Sequence, residues 1–213
     1  MDDNKTELLS EVADYYSNKL ASHGNTPQGV DWNGGESQFL RFEQLCRIIN
    51  SHNDRVSVND LGCGYGALLD FLTSKYKKAY YTGVDVSPEM IKAAQLRHQS
   101  NSNAQFIVGS RPDVKADFGI ASGIFNVRLG QNDSKWFEYL EDTLDTLNST
   151  SLHGFAFNCL TSYSDEDKKR DYLYYADPCK LFELCKRKYS RNVALLHDYG
   201  LYEFTILVRK ADD

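Results

Sequence analysis

No Cys-x-x-Cys pair occurs in this chain of 213 residues. Its five cysteines, Cys46, Cys63, Cys159, Cys179 and Cys185, are odd in number and scattered. Both facts argue against a disulfide framework and against a zinc site. No metal is therefore expected, and free thiols fit a reducing cytoplasm. No stretch approaches the ~20 apolar residues that a membrane span requires. The start, Met1-Asp2-Asp3-Asn4-Lys5, has neither the net basic start nor the apolar run of a signal peptide. A cationic excess is missing too, since the formal charge is −6. That balance disfavours duplex nucleic acid as a partner, and a small anionic substrate in a locally basic pocket stays open. There is no internal repeat and no low-complexity segment.

What is present is a globular composition, 41% hydrophobic, at a length that suits one domain. The reading is a single domain over 1–213, with 1–50 as an N-terminal helical extension and lid and 51–213 as the core. The stretch Val58-Asn59-Asp60-Leu61-Gly62-Cys63-Gly64-Tyr65-Gly66-Ala67 organises the chain. A buried-type strand, 56–61, breaks into three alternating glycines and then a helical pattern, Leu68, Leu69, Phe71 and Leu72. Strand, glycine turn and helix make a nucleotide-binding arrangement. The glycines allow backbone angles closed to other residues. Helix N–H groups then point at the polar end of a ligand.

Around it, residues 4–22 and 36–50 read as helices, joined by a turn-rich loop in which Trp32 suggests a docking lid. A second strand runs from Ala79 to Val84, ending at Asp85, and Ser87-Pro88 starts a helix. Further strands are expected at 105–108, 117–123 and 154–160, with a helix over 134–149. A helical, tyrosine-rich stretch is expected through Tyr175, then a helix from Pro178 to Lys188. The chain ends in two strands around Asp198-Tyr199-Gly200, a hairpin signal. Alternating strands and helices imply a doubly wound α/β sheet, mostly parallel, with helices on both faces.

Two cofactors compete for the glycine turn. Gly62-x-Gly64-x-x-Ala67 satisfies the dinucleotide fingerprint. Asp85 stands where either cofactor needs a carboxylate for its ribose. Asp60, just before the first glycine, would repel a pyrophosphate but suits a ligand carrying an ammonium group. Asp60-x-Gly62-x-Gly64-x-Gly66, followed by Gly83-Val84-Asp85-Val86-Ser87-Pro88-Glu89-Met90, resembles the class I S-adenosylmethionine-dependent methyltransferases. The resemblance runs from about residue 56 to the C-terminus. It implies a seven-stranded sheet with its last strand antiparallel. It also implies that the turn holds the methionine moiety, that Asp85 binds the ribose, and that Val86 and Met90 lie near the adenine. Many members carry an acidic residue after the third strand; this chain has Gly109-Ser110-Arg111, with Ser110 as the substitute. Ile124, Phe125 and Asn126 are implied to lie beside the sulfonium. Arg41 is placed to pair with the cofactor's carboxylate, a solvated helix face being the alternative.

The resemblance thus implies S-adenosylmethionine as donor, S-adenosylhomocysteine as product, and a small-molecule acceptor reacting through oxygen, nitrogen or carbon. Ligands bind at the carboxyl ends of such strands. That rule selects Asn126, Asn158, Tyr163 and Tyr199 for the substrate and His197 as a base. From the lid come Tyr15, Tyr16 and Trp32. No Asn/Asp-Pro-Pro-aromatic motif follows the fourth strand and no Pro-Cys pair lies there. Adenine amino and cytosine C5 chemistry are accordingly disfavoured. A cofactor-binding protein without turnover, a methyltransferase for protein or RNA, and least of all a nicotinamide enzyme are the other readings. The chain is compatible with a monomer or a homodimer.

Overall fold

A computed structural model describes residues 3–31, 34–49 and 55–211, with side chains from Glu7 onward. Seven strands form one sheet: β1 (Arg55–Leu61), β2 (Lys78–Asp85), β3 (Ala104–Val108), β4 (Ala116–Ala121), β5 (Ser151–Leu160), β6 (Asn192–Leu196) and β7 (Glu203–Arg209). Their spatial order is β3-β2-β1-β4-β5-β7-β6. All neighbouring pairs from β3 to β5 are parallel, and β7 runs antiparallel to both β5 and β6. The implied sheet, with its antiparallel last strand and closing hairpin, is the one observed.

The helices are α1 (Asp3–His23), α2 (Gly35–Cys46), α3 (Ala67–Lys75), α4 (Pro88–Arg97), α5 (Asp133–Thr150) and α6 (Pro178–Lys188). Their ends follow local chemistry. Ser87, Asn132 and Asp177 cap α4, α5 and α6 by accepting from backbone N–H groups of the first turn. Pro88 and Pro178 occupy first-turn positions, where a missing N–H costs nothing. The run Lys186-Arg187-Lys188 ends α6, where cations suit the helix dipole.

Successive side chains on a strand point to opposite faces, and the core sorts accordingly. On β5, Phe155, Phe157 and Cys159 join α5 and α6 residues such as Leu140, Leu144 and Leu181. Ala156 between them joins the opposite layer, with Phe42 and Leu45 of α2 and Leu69 and Leu72 of α3. Burial on both faces explains the near-continuous apolar runs of these strands. α1 adds a third cluster, in which Leu8 and Val12 close over the fully buried Trp136.

One expected element is absent among the described residues. The tyrosine-rich stretch before Pro178 is not a helix; it holds only a short 3-10 turn, Glu166–Lys168. Its backbone donors go elsewhere. Tyr174 N–H donates to Asn126 O at 2.8 Å and Ala176 N–H to Leu160 O at 2.9 Å, while Leu173 bridges Val127. A segment whose N–H groups extend strand ends has none left for i→i−4 bonds. No helix among the described residues is long and apolar enough to cross a membrane.

Candidate active site

The chain enters the sheet at β1, winds outward to β3, and returns to β4 on the other side of β1. The crevice between the carboxyl ends of β1 and β4 is therefore the topological switch point, where ligands bind in such sheets. A cavity of about 280 Å³ opens there. The glycine turn forms its floor. Gly62, Gly64 and Gly66 all have positive φ, at 71°, 53° and 81°. A Cβ on Gly62 would lie 2.0 Å from the Ile124 Cγ2 methyl, so the turn and the loop after β4 fit only without a side chain there.

Two carboxylates face this cavity from strand ends. Asp60 accepts the Tyr81 hydroxyl at 2.5 Å. Burial pushes Asp60 up to about 7, and the nearby Asp85 charge adds to the rise while the Tyr81 bond opposes it. Asp85 accepts the Gly64 N–H and the Ser87 N–H, each at 2.9 Å. Its pKa is raised as well, by burial, against those backbone bonds. Asp85 thus pins the glycine turn and the start of α4 together. The Ser87 hydroxyl continues the chain, lying 2.9 Å from that of Ser17, which also donates to Glu89 at 2.9 Å. α1 is fastened over the site by these contacts.

Among the expected cofactor residues, Asp60, Gly62, Gly64, Asp85, Val86, Met90 and Ser110 line the cavity. Ser110 sits exposed at its rim beside Arg111. Three others are placed differently. Gly66 starts α3 and leaves room for His98, whose ring would lie 3.0 Å from an added Cβ; it is outside the cavity wall. Phe125 is fully buried in the α5–α6 layer, edge-on to Phe157 and Tyr139, and gives its carbonyl to the Trp136 indole at 2.9 Å. A large apolar ring finds more contact in that layer than at a polar strand end. Arg41 is buried and turned to Glu203 by two bonds, Nε to Oε2 at 2.8 Å and Nη2 to Oε1 at 2.7 Å. That pair is enclosed by protein and not set on a solvated helix face; a buried guanidinium takes the buried carboxylate within reach.

The expected substrate residues separate too. Tyr16 lines the cavity. Tyr15 points away and donates to Asp31 at 2.7 Å. Trp32 lies outside the described residues. Asn126 accepts the Leu160 N–H at 3.0 Å, and Asn158 accepts the Gly123 N–H at 2.7 Å; both tie strand ends together outside the cavity wall. Tyr199 meets the Thr205 hydroxyl at 3.0 Å, and Tyr163 is exposed. His197 is exposed at the end of the edge strand β6, against Tyr163 and Phe204. β4, β5 and β7 separate that strand from β1, so His197 does not reach the cavity.

Sequence reasoning missed several wall residues. Leu9, Val12, Gln38, Phe42, Ser122, Tyr139, Thr143 and Thr146 all line the cavity. Gln38 accepts the Tyr65 hydroxyl at 3.2 Å. Val12 and Tyr16 stand four residues apart on α1, so they share a helix face, and that spacing was the available signal for Val12. The Ser122 hydroxyl, just past the end of β4, has no hydrogen-bond partner among the described residues. Burial holds Tyr139 up to about 12 and Tyr16 well above its ordinary value, so both hydroxyls stay protonated.

This donor set fits S-adenosylmethionine better than a dinucleotide. Two buried carboxylates oppose a pyrophosphate but complement an ammonium and a sulfonium, and Ser122 offers an uncommitted hydroxyl to a polar ligand. The comparisons agree. Residues 58–148 match the model of a methyltransferase domain family. Rv1506c of Mycobacterium tuberculosis (strain ATCC 25618 / H37Rv), designated a methyltransferase by its name, is 64% identical over 165 residues, 78% of this chain and 99% of that protein. The fold is shared with magnesium protoporphyrin IX methyltransferase (ChlM) from Synechocystis PCC 6803 with bound SAM, at TM-score 0.66 and 15% identity over 95% of this chain and 96% of that one. It is shared equally with the N-methyltransferase NodS from Bradyrhizobium japonicum WM9 in complex with S-adenosyl-L-homocysteine, at TM-score 0.65 and 15% identity over 94% and 98%. The chain belongs to the class I S-adenosylmethionine-dependent methyltransferases.

Proposed function

We propose that residues 1–213 act as one domain that methylates a small organic acceptor with an apolar or aromatic body. One observation carries the reading: a single cavity has acidic strand ends on its floor and Leu9, Val12, Tyr16, Val30 and Phe42 of the N-terminal extension as its roof. Bound S-adenosylmethionine supplies a sulfonium methyl open to in-line displacement. Asp60 ionises against the ligand's ammonium group. Asp85 keeps its backbone bonds and offers its remaining lone pairs to the ribose hydroxyls. Val86 and Met90 bound the adenine, and Ser110 meets its amino group at the rim. The roof of α1 and α2 excludes water and aligns the acceptor, which supplies most of what methyl transfer asks of a protein. Tyr16 and Tyr139 remain protonated and orient the acceptor as hydrogen-bond donors.

The test is turnover. Methyl-labelled S-adenosylmethionine is incubated with the protein and a panel of small phenols, amines, carboxylic acids and thiols, alongside protein and RNA fractions. Label entering small molecules, with matching S-adenosylhomocysteine release, is expected. Label entering only protein or RNA would overturn the acceptor class.

A further inference from the structure

Arg41, Glu203 and Asn158 form a buried cluster that the cavity reading does not use. Their exposures are 7%, 1% and 0%. Glu203 accepts three bonds, two from Arg41 and one from Asn158 Nδ2 at 2.7 Å. The other end of the same amide, Asn158 Oδ1, accepts the Gly123 N–H at 2.7 Å. The sense of this chain is fixed. A flipped amide would set its oxygen against the carboxylate and its NH₂ against an N–H.

Each end of the cluster adjoins residues that line the cavity. Arg41 lies on α2 between Gln38 and Phe42, which both line it. Gly123 stands between Ser122 and Ile124, which line it on the β4 side. Gly123 has φ 76°, one of several conformations open to a glycine, so an external bond has something to fix. Ile124 in turn fills the space that a side chain on Gly62 would occupy. A shift at Gly123 is therefore passed to the glycine turn.

We propose that Arg41 is a positioning residue for methyl transfer, acting through Glu203 and Asn158 to hold the Gly123 backbone in the wall of the methyl-donor cavity; this rests on the cavity reading above. The bidentate fork matters, because one bond leaves the carboxylate free to swing and two do not. The N-terminal extension is thereby coupled to the donor site through the protein interior as well as over its roof.

Two variants test it. Arg41→Lys keeps the charge beside Glu203 and removes the fork. Arg41→Met with Glu203→Met removes both charges together, leaving neither buried alone. Amide hydrogen exchange at Gly123 and S-adenosylhomocysteine affinity are measured in each, with thermal unfolding as a check on the fold. Both variants should exchange the Gly123 amide faster, by about tenfold in the double variant, the equivalent of one hydrogen bond. S-adenosylhomocysteine should bind several-fold more weakly while the rest of the sheet keeps its protection. An unchanged Gly123 exchange rate in a folded variant overturns the relay. Faster exchange with unchanged affinity overturns its service to the cavity. If the double variant does not fold, Arg41→Lys decides on the same terms. If the wild-type protein binds no S-adenosylhomocysteine, the cavity reading fails instead, and Gly123 exchange alone judges the relay.

Discussion

Asp60 should make cofactor affinity depend on pH in a way a neutral residue cannot. Burial raises it to about 7, so at about pH 6 roughly one protein molecule in eleven carries the charge, and at about pH 8 roughly ten in eleven do. A ligand whose ammonium group sits against Asp60 binds the charged form. Its apparent dissociation constant should then rise about tenfold from pH 8 to pH 6, with about 0.9 proton released per ligand bound at the lower pH. S-adenosylhomocysteine has ionisations of its own, so the variant Asp60→Asn supplies the baseline. Calorimetric titration of both proteins, in buffers of differing ionisation enthalpy, isolates the contribution of Asp60. Parallel pH profiles for wild type and variant would refute the reasoning. They would mean either that Asp60 is already ionised without ligand or that no cation reaches it.

The same group sets a stability prediction. A folded-state value raised above the unfolded one gives stability that is full below about pH 4 and lost as pH rises through about 7, on the order of 4 kcal/mol for Asp60. The melting temperature of Asp60→Asn should accordingly gain on wild type between about pH 5 and about pH 8; a constant gap contradicts it. Asp85→Ala should weaken S-adenosylhomocysteine binding by roughly 1.5–3 kcal/mol, the range for hydrogen bonds to a charged group, and unchanged affinity would show the ribose contact to be misplaced. Gly62→Ala meets Ile124 at 2.0 Å and a positive φ together, so its unfolding free energy should fall by more than the ~1–2 kcal/mol of the backbone conformation alone. Trp136→Phe strands the buried Phe125 carbonyl and should cost about 1–3 kcal/mol in denaturant unfolding, with a smaller loss counting against that bond.

The parts of this molecule that could be read from sequence are those whose cause is local. Gly62, Gly64, Asp60 and Asp85 carry their reasons in spacing, since a strand end, a turn and a cap recur at fixed separations. The cap Ser87 and the hairpin at Gly200 are of the same kind. What escaped reading depends on partners far along the chain. Arg41 and Glu203 are 162 residues apart, and no pattern near either announces the other. Phe125 lies one residue beyond the wall residue Ile124, and the turn after β4 decides which faces the ligand. The expectation for His197 follows from its place at a strand's carboxyl end, a rule that ignores where in the sheet the strand sits. β6 is the edge strand, and His197 stands there, away from the cavity wall. The helix expected before Pro178 failed because strand ends outcompeted it for backbone donors.

The cavity between Asp60 and Asp85 should hold a cationic adenosyl ligand. Side-by-side titration of the purified protein with S-adenosylmethionine, S-adenosylhomocysteine and NAD tests this most directly. Saturable binding of both adenosyl ligands, abolished or strongly weakened by Asp85→Ala, and no binding of NAD, is the predicted result. Binding of NAD with neither adenosyl ligand would contradict it.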